Sequence, residues 1–147
     1  MAKAFAFRLE KLLDVRRSLE DVAQRALAAA HQAVDERNRV ILDLLSREDE
    51  AKEERRALQQ ASVDVARLRL ADEFLVSMER LLQREYLMLQ ELVKAEMAKR
   101  EELTEARKGV RVLEKFRERE LRSHLQTLDL QERKTLDDIG QNLAKGA

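Results

Sequence analysis

From Leu68 to Leu113, apolar residues return at alternating steps of three and four: Leu68, Ala71, Leu75, Met78, Leu82, Glu85, Leu89, Leu92, Glu96, Lys99, Leu103, Ala106, Val110 and Leu113. Eleven of these fourteen are apolar, and the positions between them are mostly charged or polar. A 3.5-residue period lays a narrow apolar stripe along one side of a helix, and only another helix can cover such a stripe. Aromatics make up 3% of the chain, charged residues 39%, and there is no proline, so a thick globular core is not expected. Ala, Leu, Glu, Arg, Lys and Gln dominate instead, and all of them favour helix.

A second run of the same period precedes it: Phe5, Leu9, Leu12, Arg16, Leu19, Ala23, Ala26, Ala30, Ala33, Arg37, Val40 and Leu44. The alanines allow a close-packed partner, and Arg16 and Arg37 lay their methylenes along the seam. Periodicity lapses at Gln59-Gln60-Ala61-Ser62, where Ser62 is suited to cap a new helix with Asp64 in its first turn. The reading is all-α: a long antiparallel two-helix coiled coil, an α-hairpin whose C-terminal helix is the longer. One domain covers 1–147, with helix 1 over about 4–59, a turn at 60–62 and helix 2 over about 63–144. A turn at this place pairs residue 31 with about residue 92 and leaves helix 2 overhanging by some 25 residues. The steps Leu113–Arg117–Leu121 are two fours in a row, a stutter that locally unwinds a supercoil. The alternative architecture is one continuous helix in an intermolecular coiled coil.

Catalytic signatures are absent. There is no Gly-rich phosphate loop, no HExxH and no cysteine. The predicted pairing keeps His31 and His124 roughly 30 residues apart along the bundle, too far to share a metal. No catalytic, cofactor-binding or metal residue is assigned, and no cofactor is expected. The 29 basic residues balance 29 acidic ones, which argues against a bulk nucleic-acid binder. No run approaches the roughly 20 apolar residues that cross a bilayer, and the first residues lack the apolar run of a signal peptide. A cytoplasmic protein, monomeric on its own and without membrane insertion, is expected.

Some apolar surface lies outside the seam. Phe74, Leu81 and Met88 recur every seven residues beside the helix 2 stripe, and in this register Glu36 and Asp43 are all that faces them. The opposite flank gathers Leu27, Val34 and Ile41 with Tyr86 and Val93. Phe74, Leu81 and Met88 are therefore candidates for docking another protein, because contiguous exposed apolar surface marks such sites.

The order of Phe5-x-Phe7-Arg8-Leu9-Glu10-Lys11-Leu12-Leu13-Asp14-Val15-Arg16, Arg67 to Leu75, Ala106-Arg107-Lys108, Leu113 to Arg119 and Glu132 to Ile139 resembles the FliJ family. That family is the coiled-coil component of the flagellar type III export apparatus. The resemblance implies a non-enzymatic central stalk at the cytoplasmic base of the flagellum. Its partners would be a hexameric export ATPase, the cytoplasmic domain of the export gate and export chaperones. The paired termini would meet the ATPase ring, where Arg8, Lys11, Arg17, Arg119 and Arg122 are the candidate contacts. A generic coiled-coil scaffold and a type III secretion chaperone are the rival readings.

Overall fold

The computed structural model describes residues 4–61 and 64–146. It contains two helices packed against each other, α1 (Glu10–Gln60) and α2 (Val65–Lys145), and no strand among the described residues. The longer helix is the C-terminal one, giving the α-hairpin that the two heptad runs require. Helix α1 starts later than its periodicity suggests. Residues 4–7 are irregular, Glu10 N donates to the Phe7 carbonyl at 3.1 Å, and the first α-type bond runs from Leu13 N to Leu9 O. Ser62, the predicted cap, lies outside the described residues. The Asp64 side chain accepts from Ala66 N at 3.1 Å, which makes Asp64 the cap of α2 and corrects its placement in the first turn.

The packing divides into two compact units. One comprises Ala23–Leu103, and the other joins the residues up to Val22 with those from Thr104 onward. In the first, Ile41 and Leu44 of α1 pack with Met78 and Leu82 of α2, supported by Leu45 and Leu89. Every position of the α2 stripe from Leu68 to Leu103 is buried or half-buried in this unit, including Glu85, Glu96 and Lys99. Arg37 pairs with Glu85 inside the seam. Glu96 is buried between His31 Nδ1, at 3.3 Å, and Arg100 Nη2, at 2.9 Å. His31 thus meets residue 96, one helical turn beyond the predicted residue 92.

The α1 seam differs from the predicted one in a regular way. Ala23, Ala30, Arg37 and Leu44 keep their inward positions, but Val34 and Ile41 are buried where Ala33 and Val40 were expected. A 3–4 alternation anchored on those four residues can run through either neighbour. The pairs Ala26/Leu27, Ala33/Val34 and Val40/Ile41 are apolar on both sides, and the larger member removes more area from water. Leu27, Val34 and Ile41 therefore belong to the seam, not to a flank.

In the other unit Phe7, Leu13 and Val110 are buried together, with Phe5, Leu9, Leu113 and Phe116 packed around them. Leu13, not Leu12, is the inward residue, and Leu19 is exposed. Leu113, Arg117 and Leu121, the residues of the two consecutive four-residue steps, are all half-buried. Arg117 donates to Glu10 at 3.1 Å, and Arg8 lies 3.9 Å from Glu120. The His124 and Phe5 rings stand 5.6 Å apart. Leu125 is left exposed, and residues 129–145 of α2 are exposed throughout.

Candidate interaction surfaces

Three surfaces remain once the seam is accounted for. The first lies on the unit formed by Ala23–Leu103. Phe74, Leu81 and Met88 are 50%, 38% and 49% exposed. Their spacing keeps them in line beside the seam, on the side away from the His31–Glu96–Arg100 contact. With the α1 register corrected, the residues of α1 on this side are Ala33, Val40 and Arg47, in place of Glu36 and Asp43. Val40 is itself exposed, so both helices contribute apolar surface to one flank. Tyr86 and Val93 occupy the other flank and are also partly exposed.

The second surface surrounds the N-terminal segment and separates the five basic candidates by task. The Arg8 guanidinium lies 5.7 Å from the Phe116 ring centroid and near Glu120, while Arg17 donates to Glu114 at 3.4 Å. Arg8 ties the segment before α1 to α2, and Arg17 ties the two helices together. Lys11, Arg119 and Arg122 are exposed and have no ion pair among the described residues.

Arg119 and Arg122 belong to a longer line that motif reading did not isolate. Arg107, Arg111, Lys115, Arg119 and Arg122 follow one another at steps of four, four, four and three, and all five are exposed. At about 100° per residue they occupy the side of α2 remote from Val110, Leu113 and Arg117. Between 107 and 122 the chain carries seven basic and three acidic residues, so this face is positive although the whole chain is neutral. The signal was present in the sequence as i, i+4 cations. Bulk charge balance hid it. Beside this line Leu9, Val112, Leu113, Lys115, Phe116 and Arg119 border a groove with an apolar floor.

The third surface is the end of α2, where Leu125, Leu130, Leu136, Ile139 and Leu143 are exposed. No cluster of metal-binding side chains occurs among the described residues, and no helix there is long and apolar enough to cross a membrane. His31 sits between Asp35 and Glu96, and His124 stacks obliquely near Phe5, so each has a local structural contact.

No curated protein and no solved structure matches this chain. The model of one family, described as flagellar FliJ protein, matches residues 5–147. That match takes in both helices, the N-terminal aromatic segment and the exposed end of α2. The chain belongs to the FliJ family, a component of the flagellar protein export apparatus.

Proposed function

We propose that this chain is the non-enzymatic central stalk of the export apparatus, located in the cytoplasm at the base of the flagellum. It binds a hexameric export ATPase through its paired termini and links that ring to the export gate and to export chaperones. The observation that carries the reading is the positive line Arg107–Arg122 on the face of α2 remote from Val110 and Leu113, on a chain matched to the family over residues 5–147. A ring lined by acidic loops would favour such a face. Charges brought together in a partly dehydrated pore interact more strongly than on an open surface. The apolar flank of Phe74, Leu81 and Met88 supplies the second contact, for the gate or a chaperone.

The test is stimulation of ATP hydrolysis by the purified ring. Changing Arg111, Lys115 and Arg119 together to Glu touches no seam position and no ion pair among the described residues. Helicity and melting temperature should stay near the parent values while stimulation falls and its salt dependence flattens. Undiminished stimulation by a folded triple variant would place the ATPase contact elsewhere.

A further inference from the structure

The exposed end of α2 has an apolar spacing that reads the same in both directions. Leu121, Leu125, Leu128, Glu132, Leu136, Ile139 and Leu143 are separated by four, three, four, four, three and four residues. Leu125, Leu136, Ile139 and Leu143 are 55%, 67%, 50% and 72% exposed, while Leu121 and Leu128 are half-buried. At about 100° per residue they form a line on one side of α2, with His124, which stands near the Phe5 ring, on the edge of its first half.

A palindromic line on a single helix is self-complementary. Laying a second copy antiparallel with Glu132 on the two-fold axis sets Leu128 opposite the partner's Leu136. The same placement sets Leu125 opposite the partner's Ile139 and Leu121 opposite the partner's Leu143. Such a two-fold contact uses one patch twice, which is the commonest geometry for a homodimer.

The flanking charges agree with this placement. Asp129 and Arg133 lie together on one edge of the line, joined at 3.2 Å within the chain. Across the axis Asp129 comes opposite the partner's Arg133, and Arg133 opposite the partner's Asp129. The other edge carries the neutral Gln131 and Thr135. The single opposed feature is Glu132, which meets its own copy at the axis. One polar residue in an apolar seam fixes register at a cost in stability.

The geometry points to reversible self-association: two copies of this chain pair antiparallel through residues 121–143 about Glu132. This requires no export ATPase and stands independently of the stalk reading. The expected monomer is the low-concentration member of this equilibrium.

Sedimentation equilibrium of the full chain across a concentration series is the test. The parent should move from monomer to dimer as concentration rises. Leu136→Asp with Ile139→Asp should weaken dimerisation by roughly a hundredfold or more, since each change acts twice across the axis. Circular dichroism should show unchanged helicity, because both sites are exposed. Glu132→Leu should tighten the dimer. Because the chain has no cysteine, a single Glu132→Cys variant should be joined to a second copy by a short bismaleimide, while Thr127→Cys, on the far side of α2, should not. A parent that stays monomeric throughout overturns the proposal. So does a dimer indifferent to the double Asp change, one weakened by Glu132→Leu, or equal cross-linking at both cysteines.

Discussion

Leu12 and Leu13 are adjacent and chemically identical, yet Leu12 is 41% exposed and Leu13 fully buried. Val40 and Ile41 repeat the contrast at 41% and 4%. We expect Leu13→Ala and Ile41→Ala each to cost about 2–5 kcal/mol in chemical denaturation. Leu12→Ala and Val40→Ala should cost far less, roughly 1 kcal/mol or below. Similar losses at both members of a pair would show that the seam runs between them. The sequence could not choose because either member satisfies the 3–4 alternation. Only the competition for buried volume decides. Arg37 presents the opposite case: its seam position was legible, but its partner Glu85 and its buried Nε, which lacks a hydrogen-bond partner, were not. Arg37→Ala leaves Glu85 half-buried without its cation and should destabilise by up to a few kcal/mol. Replacing both residues by Leu should restore much of that loss, with thermal melts comparing the two variants.

Among the elements, α2 was the more readable helix. Its stripe from Leu68 to Leu113 is inward at every position, although Phe74, Leu81, Met88 and Val93 adjoin it, because the 3–4 alternation holds without a break over the whole run. The start of α1 was less readable, since Phe5 and Phe7 continue the apolar pattern while serving as an irregular segment packed on Val110 and Phe116. Capping separates the two helices as well. Asp64→Ala should cost about 1 kcal/mol by removing the acceptor for Ala66 N, and amide exchange in the first turn of α2 should accelerate. Gly109 lies mid-helix, and a Cβ there would meet Arg16 Cδ at 3.6 Å, an ordinary contact. Gly109→Ala should therefore stabilise by roughly 0.5–1 kcal/mol, since no backbone conformation there demands glycine. A loss of stability in a melt would show that Arg16 cannot yield.

At the level of the molecule, the family was legible from the order of its short motifs, whereas the make-up of the candidate docking flank depended on the α1 phase. Phe74→Ala with Leu81→Ala should lower the melting temperature little, because both side chains stand outside the seam. It should weaken capture of the export gate's cytoplasmic domain or a chaperone if the flank docks them. A pull-down alongside the melt checks both halves, and intact capture by a stable double variant would refute the docking role. The hairpin also carries a kinetic consequence. Arg55 and Asp72, which form an ion pair, are 17 residues apart, while Glu10 and Arg117 are 107 apart. Closing the longer loop first costs about 1.6 kcal/mol more in chain entropy than closing the shorter one. Pairing should therefore start near the reversal and advance toward the termini, as pulse-labelled amide exchange would reveal. The segment holding Phe5 and Phe7 would be the last to dock and the first to let go.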